Sequence, residues 1–332
     1  MRLIFETGYN SLRMKKRIRI TLISTLAVLV TVIVGGSFYM LNYSLGVDAD
    51  RVAKLKEKYH TVMNDNPELK PWMDSLQRCK ALRDTFITMP GGERQYGTFV
   101  YGWKHTGSTA ILIHGWRDCN ITMLPIAHIY EQMGYNVLLP DLHGHGRSDG
   151  DNIGMGWKDR FDVMRWMAIA DTLFRDSTGT TRQVLHGVSM GGATTMYVSG
   201  ERTPAYVKCF VEDCGYSSVW DEFHYELGEK FGLPDFPFMY TTSALCKLRY
   251  GWTFGEASAI SKVKKCHKPM LFIHGDNDDF VPSWMVNPLY AAKPQPKELF
   301  IGKGSTHAHS YRDHKAEYTK RVEKFVSKYI KN

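Results

Sequence analysis

The sequence comprises 332 residues, 43% of them hydrophobic and 23% charged, and its formal net charge is +8. This composition is ordinary for a globular protein, and the length allows one large domain with an appendage. Part of the positive charge is confined to the N-terminus and no zinc-finger or RNA-binding motif accompanies it, so we do not expect a nucleic-acid partner. The six cysteines show no metal-ligand spacing. We interpret them as buried thiols, with one disulfide as the alternative in an oxidising compartment.

An apolar helix is the first predicted element. No charged residue occurs between Ile20 and Val47, and a helix of about 20 apolar residues crosses a bilayer. The preceding segment contains a basic cluster, namely Arg13, Lys15, Lys16, Arg17 and Arg19. Since basic flanks stay on the cytoplasmic side, we expect a cytoplasmic segment over 1–19 and a single transmembrane signal-anchor helix over 20–42. The remaining chain would lie outside the cytoplasm, in the periplasm or the extracellular space.

A cleavable signal peptide is the alternative interpretation of this segment. Its basic region would be unusually long, and no A-x-A site follows the apolar run, although Val34-Gly35-Gly36 supplies small residues. The polar residues 43–65 are interpreted as a stalk that follows the helix.

The domain predicted over residues 66–332 begins with a helix and a hairpin. Asn66-Pro67-Glu68 resembles an N-cap followed by proline at the first helical position, and the helix is predicted to run to about Leu82. Thr85–Met89 and Thr98–Trp103 predict a β-hairpin.

Short apolar strands then alternate with helices. The predicted strands are Ala110–His114, Asn136–Pro140, Gln183–His186, Val207–Glu212, Met270–His274 and Glu298–Ile301. The predicted helices are Met123–Met133, Lys158–Phe174, Met190–Gly200, Ser283–Ala292 and Asp313–Lys331. This alternation predicts an α/β fold with a mainly parallel central sheet and helices on both faces. Residues 217–262 are rich in aromatics and contain no clear strand, which predicts a small helical cap. Its aromatics either line a substrate pocket or pack the cap onto the sheet.

The decisive motif is Gly187-Val188-Ser189-Met190-Gly191, which matches G-x-S-x-G between a predicted strand and a predicted helix. In that context it indicates a nucleophile elbow, a sharp turn that exposes the serine hydroxyl above the sheet edge. Glycines are required because larger neighbours would collide in the turn. Ser189 also lies at a helix N-terminus, where the dipole favours developing negative charge. We therefore expect Ser189 to be a catalytic nucleophile.

A serine nucleophile needs a base and an orienting acid, which in this arrangement follow the serine in chain order. One predicted strand leads into Asp276, Asp278 and Asp279, where a carboxylate can reach the active edge of the sheet. The last predicted strand leads into a loop that contains His307 and His309. Spacing favours Asp278, which stands three residues before Val281-Pro282, and His307, which comes first after the Gly304-Ser305-Thr306 turn.

An oxyanion hole must also be supplied. We expect one donor to be the backbone N–H of Met190, directly after the nucleophile. The loop His114-Gly115-Trp116, which follows the strand Ala110–His114, would supply the other donor through the N–H of Trp116. The indole of Trp116 is interpreted either as part of the site or as a packing group of the loop.

The motifs occur as a set in the order Ile113-His114-Gly115, Asp141–Ser148, the elbow, His274-Gly275 with Asp278, Val281-Pro282, and His307-Ala308. Over about residues 67–330 the chain thereby resembles the α/β-hydrolases, and within them a bacterial, membrane-anchored branch of serine aminopeptidase-like and esterase-like hydrolases. Met155-Gly156-Trp157 is shared with the anchored members, whereas His143 stands where many relatives have arginine. The resemblance implies that Ser189 is the nucleophile, Asp278 the orienting acid and His307 the base.

These observations predict a serine hydrolase that cleaves a carboxylic ester through an acyl-enzyme intermediate. A peptidase or amidase with the same triad is one alternative, and a non-catalytic membrane-tethered binding protein is another. A serine in the elbow excludes dehalogenase and epoxide-hydrolase chemistry, which use a carboxylate there. The sequence has no phosphate-binding glycine loop, nicotinamide motif or metal-ligand cluster, so we expect no cofactor and no metal. The expected partners are a small acyl ester or peptide-like substrate and the membrane.

Overall fold

A computed structural model describes residues 2–104 and 106–331, with side chains from residue 13 onward. Met1, in the predicted cytoplasmic segment, lies outside the described residues, and so do His105 and Asn332 of the predicted domain. The chain divides into two compact units. The smaller combines Met1–Ser44 with Leu227–Thr253, and the larger combines Leu45–Glu226 with Phe254–Asn332.

The larger unit contains an eight-stranded sheet. Its strands are β1 (Leu82–Thr88), β2 (Arg94–Val100), β3 (Ser108–Ile113), β4 (Asn136–Pro140), β5 (Arg182–Val188), β6 (Val207–Asp213), β7 (Met270–Gly275) and β8 (Lys297–Gly302). The strand order is β1-β2-β4-β3-β5-β6-β7-β8. Strand β2 pairs antiparallel with β1 and β4, and all other pairs are parallel. The predicted α/β-hydrolase fold with a mainly parallel sheet is confirmed.

Helices occupy the segments between and around the strands. They are α1 (Arg2–Leu45), α2 (Leu55–Asp65), α3 (Leu69–Arg78), α4 (Leu124–Gln132), α5 (Asp159–Phe174), α6 (Met190–Ser199), α7 (Val219–Phe231), α8 (Phe238–Tyr250), α9 (Ala259–Val263), α10 (Val286–Ala292), α11 (Ser310–Asp313) and α12 (Lys315–Tyr329). Every residue of β3, β4 and β7 is buried, as expected for parallel strands covered on both faces. Because strands β3–β8 run parallel to one another, their carboxyl ends meet at one edge of the sheet.

Two helices differ from their predicted extent. Helix α3 stops at Arg78 rather than near Leu82, because Lys80 adopts a positive φ of 55° and Leu82 already belongs to β1. The predicted C-terminal helix is interrupted at His314, which separates α11 from α12.

The segment 43–65, predicted as a stalk, is largely folded in the structure. Leu55 in α2 is buried, and Tyr59, Val62 and Met63 pack against the hydrophobic core. These apolar positions recur at helical spacing, so one face of α2 removes them from water. Burial of that face is the reason why α2 joins the larger unit instead of extending from it.

The smaller unit contains α1 and α8. The part of α1 over Arg13–Leu45 is long and apolar enough to cross a membrane. Its side chains from residue 13 to residue 32 are exposed, whereas Ser37 and Leu41 are buried within the protein. Across the predicted cap, residues 217–262, the described backbone is mainly helical and contains no strand beyond an isolated bridge between Ser218 and Ser258.

Candidate active site

Ser189 lies in the sharp turn between β5 and α6. Its φ and ψ angles are 57° and −120°, a strained conformation for a residue with a side chain. The N–H of Ser189 donates to the carbonyl of Asp213 at 2.8 Å, which ties the turn to the end of β6. A Cβ atom on Gly187 would overlap the carbonyl of Gly191, and a Cβ on Gly191 would overlap that of Ile113. Only glycines therefore allow this turn to close.

The loops after β7 and β8 bring a carboxylate and an imidazole to Ser189. His307 Nε2 lies 2.8 Å from Ser189 Oγ, and His307 Nδ1 lies 2.8 Å from Asp278 Oδ2. The other carboxylate oxygen of Asp278 accepts the N–H groups of Phe280 at 3.0 Å and Val281 at 2.9 Å. His307 therefore lies between Asp278 and Ser189, an order in which a carboxylate can orient an imidazole toward a serine hydroxyl.

The neighbouring candidates do not join this chain of hydrogen bonds. Asp276 and Asp279 are exposed, and Asp276 accepts the N–H of Gly304 within the loops. His309 lies in a local contact, with Nδ1 2.7 Å from Thr306 Oγ1. The contacts of Asp276 and His309 connect residues of the loops to one another. The sequence around these residues is also typical of loop contacts.

A second histidine, which sequence reasoning quoted as a motif but gave no role, contacts Asp278 from the interior. His274 Nε2 lies 2.9 Å from the carbonyl of Val281 and 3.5 Å from Asp278 Oδ2. Burial alone would raise the pKa of Asp278, but hydrogen bonds from His274 and His307 outweigh it and lower the pKa to about 2. Burial opposes the charged form of His274, yet its hydrogen bond with the Asp278 carboxylate raises its pKa. Asp278 therefore remains ionised at neutral pH.

Asp213, at the end of β6, is a further buried carboxylate beside the site that sequence reasoning missed. Its Oδ2 accepts the hydroxyl of Tyr318 at 2.8 Å. That hydroxyl lies 3.0 Å from His186 Nε2, and His186 Nδ1 lies 3.0 Å from the hydroxyl of Tyr130. Burial raises the pKa of Asp213 to about 6. No local pattern could reveal this network, because its members are spread over four elements.

The predicted oxyanion donors have the backbone environment that such donors need. Met190 is the first residue of α6, so its N–H has no acceptor within the helix. His114 Nδ1 lies 2.8 Å from the carbonyl of Gly115, and burial lowers the pKa of His114 to about 4, so the ring is neutral. The N–H of Trp116 belongs to the same trans peptide and points away from that carbonyl. A Cβ on Gly115 would lie 3.4 Å from Ser189 Cβ, so this peptide passes beside Ser189.

A cavity of about 580 Å³ opens over Ser189 and His307. Its wall includes an apolar group, Val62, Met123, Pro125, Ile126 and Val188. Helix α2, in the predicted stalk, contributes part of this wall through Thr61, Val62 and Asp65, and Asn66 at the C-terminal end of the helix adds to it. Among the residues that the structure describes, none of the cap aromatics lines this cavity. In the sequence, Val52, Leu55 and Tyr59 recur at helical spacing, which indicates a helix with one apolar face. This spacing does not predict which surface that face covers.

Cys214 lies close to the hydrogen-bonded groups. Its Sγ is within 4.8 Å of ligand atoms of Asp278 and His307. Burial raises the pKa of the Cys214 thiol, which therefore stays protonated. A cysteine binds a metal ion as a thiolate, whereas this thiol is protonated. Asp278 and His307 are hydrogen-bonded to each other. The cluster therefore suits a hydrogen-bonded site better than a metal centre.

Sequence comparison relates the chain to known hydrolases. The family model described as the prolyl oligopeptidase family matches residues 122–332. The chain is 28% identical over 258 residues to the uncharacterized protein YqkD of Bacillus subtilis. The aligned region covers 76% of this chain and 82% of YqkD. Over 94 residues it is 31% identical to a thermostable monoacylglycerol lipase of Bacillus sp. (strain H-257). This aligned region covers 27% of this chain and 34% of the lipase.

Solved structures show the same fold. The Pyrococcus furiosus esterase Pf2001 matches with a TM-score of 0.60 and 20% identity over 75% of this chain and 90% of the esterase. Est1E of Butyrivibrio proteoclasticus, solved with ferulic acid, matches with a TM-score of 0.59 and 20% identity over 75% of this chain and all of Est1E (100%). An acylaminoacyl peptidase matches with a TM-score of 0.58 and 16% identity over 76% of this chain and 42% of the peptidase.

Proposed function

Because the chain belongs to the prolyl oligopeptidase family and is a serine hydrolase of the α/β fold, we propose that it hydrolyses carboxylic esters of uncharged acyl groups. The observation that carries this proposal is the hydrogen-bonded series Ser189, His307 and Asp278, which opens onto a cavity with an apolar wall. Ser189 is the nucleophile, His307 the general base and acid, and Asp278 the orienting acid.

In the acylation step, His307 Nε2 takes the proton of Ser189 Oγ while Oγ bonds to the ester carbonyl carbon. The electron pair of the carbonyl moves onto its oxygen, where the N–H groups of Met190 and Trp116 stabilise the charge. The intermediate then collapses, the bond to the alkoxy oxygen breaks, and His307 donates its proton to the departing alcohol. The acyl group remains on Ser189.

Water then hydrolyses the acyl-enzyme, with water in place of Ser189 as the nucleophile. His307 removes a proton from water as the water oxygen bonds to the acyl carbon, and the resulting intermediate releases the carboxylic acid and restores the hydroxyl of Ser189. The ionised Asp278 stabilises the imidazolium in both steps.

A peptidase or amidase is the second candidate, and Asp65 is the residue that favours it. Asp65 is one of the residues that line the cavity, and a carboxylate there is suited to hold a substrate amino terminus. Asp118 in the same wall is already paired with Lys58 at 2.7 Å. The ester proposal draws support from the apolar wall and from similarity to the Pyrococcus esterase and Est1E. The ratio of kcat/KM for a p-nitrophenyl butyrate to that for aminoacyl p-nitroanilides decides between them, and a preference for the anilides would reject the ester proposal.

Covalent labelling tests the nucleophile directly. A fluorophosphonate probe should label the wild type and a Ser177→Ala control, whose serine is exposed and outside the site, but not Ser189→Ala. Equal labelling of Ser189→Ala would contradict the assignment.

We also propose that α1 anchors the protein, with the basic segment before Ile20 in the cytoplasm and the hydrolase domain outside. The exposed apolar side chains of α1 and the basic cluster that precedes them support this topology. Protease added to intact spheroplasts should digest the hydrolase domain. A domain protected until lysis would reverse the topology, and release of a soluble mature form would indicate a cleaved signal peptide.

A further inference from the structure

The end of α1 packs against a distant part of the chain within the smaller unit. Ser37 Oγ lies 2.6 Å from Thr241 Oγ1, and a Cβ on Gly36 would lie 2.8 Å from the ring of Phe238. A small residue that admits a neighbouring ring, together with a hydroxyl pair, is the kind of contact that holds helices together in lipid. The segment Leu227–Thr253 is thus fixed to α1 through the N-terminal end of α8.

This contact falls inside the part of α1 that a bilayer would cover. The uncharged stretch, residues 20–47, is 28 residues long, and about 20 residues cross the hydrocarbon layer. Any window of about 20 residues placed within the stretch includes residues 28–39, and therefore Gly36 and Ser37. Phe238 and Thr241, which touch these two residues, are then held at membrane depth.

The same segment carries an exposed apolar stripe, formed by Phe236, Tyr240, Ala244 and Leu248. Phe236, Tyr240 and Leu248 are 75%, 56% and 85% exposed. Spacing of four residues places Tyr240, Ala244 and Leu248 on one face of α8. Phe236 lies just before the helix, and its ring extends the stripe because it is 6.1 Å from the ring of Tyr240. The opposite face of α8 is buried and consists of Met239, Thr242, Ser243 and Cys246. The stripe has the character of a surface that contacts an apolar medium.

We propose that the apolar stripe on α8 lies in the interface of the lipid bilayer that α1 spans, in the leaflet at the C-terminal end of α1. The inference rests on the proposed anchoring by α1. Lys247 and Arg249 flank Leu248, where long basic side chains reach the headgroup region while their stems stay in apolar surroundings. The ring of Tyr43 packs edge-on against Phe231 at 5.6 Å between centroids, which adds the aromatic content typical of the headgroup region. The protein is then held by one spanning helix and one interfacial helix.

Depth-dependent quenching in vesicles tests this inference with the full chain. Cys79 is exposed and the other five cysteines are buried, so a Cys79→Ser background confines an NBD label to a new cysteine at Leu248→Cys. Vesicles of phosphatidylcholine and phosphatidylglycerol with doxyl-labelled acyl chains should quench the label several-fold more than aqueous iodide does. The matched control is the wild-type chain labelled at Cys79, for which iodide should quench more strongly.

A second label at Tyr240→Cys must give the same ranking of quenchers as Leu248→Cys. If protein that floats with the vesicles shows iodide quenching and no doxyl quenching at both positions, the interfacial placement is wrong although the anchor holds. If the protein does not float with the vesicles, the anchoring proposal fails, and the interfacial placement fails with it. Fluorophosphonate labelling of Ser189 in the same samples reports separately on the proposed hydrolase activity.

Discussion

Asp278→Asn is the substitution that tests the proposed site most sharply. The asparagine carbonyl can keep the hydrogen bonds from the N–H groups of Phe280 and Val281. Its NH₂ group, however, would face His307 Nδ1, which lies 2.8 Å from the carboxylate in the wild type. Two donors cannot face each other, so His307 must move its proton to Nε2 and can no longer accept the proton of Ser189. We expect kcat to fall about ten-thousand-fold.

The structure also gives the cost in stability. The pKa of Asp278 is lowered from 3.8 to about 2, and its side chain is fully buried. A difference of nearly two pKa units corresponds to about 2–3 kcal/mol in favour of the folded state when the carboxylate is ionised. Because the folded pKa lies below the unfolded one, this stabilisation is complete above pH 4 and is lost as the pH falls toward 2. Asp278→Asn should therefore be less stable than the wild type at pH 7, with a gap that narrows below pH 4.

The assay compares kcat for a soluble p-nitrophenyl ester and the free energy of unfolding in detergent. Asp279→Asn is the matched control, because Asp279 is adjacent and exposed, and it should keep nearly wild-type values of both. Turnover within tenfold of the wild type in Asp278→Asn, with loss of turnover in Asp279→Asn, would refute the assignment of the acid.

Three further substitutions test the surroundings of the site. Gly191→Ala should abolish fluorophosphonate labelling, because its Cβ would overlap a backbone carbonyl at the end of β3; labelling at the wild-type rate would contradict the steric account of the turn. Tyr318→Phe should lower the free energy of unfolding by about 2–4 kcal/mol in urea titrations, because Asp213 and His186 lose a buried partner. Burial raises the pKa of Glu212 to about 8, so the wild type should lose more stability than Glu212→Gln as the pH rises from about 5 to 8; parallel Tm profiles of the two proteins would reject this reasoning.

The sheet and the elbow were predictable because their signals are local. Apolar runs that alternate with amphipathic segments predict parallel strands and helices, and the structure confirms that alternation. The elbow requires particular residue types at fixed spacing around Ser189, so its steric logic can be read without coordinates. The resemblance to known hydrolases selected Asp278 and His307 from their neighbours, and the structure brings both to Ser189.

The remaining features depend on contacts between distant parts of the chain. Tyr318 donates a hydrogen bond to Asp213 across a separation of 105 residues. The sequence around either residue does not predict this contact. Polar composition suggested a stalk over residues 43–65, but whether an amphipathic helix extends into water or packs depends on the surface available to it. For α2 that surface is the core of the larger unit, which only the folded chain supplies.

The smaller unit joins two stretches of chain that are separated by about 180 residues. At 5–20 residues per second, a ribosome needs roughly 10–40 s to proceed from the first stretch to the second. During that interval α1 has to persist without its partner, and the Ser37 hydroxyl can satisfy itself on the carbonyl of Ile33, 2.8 Å away in the same helix. Biosynthesis thus separates formation of the helix from its packing, and assembly of this unit becomes a late step that begins only after the segment ending at Thr253 has emerged.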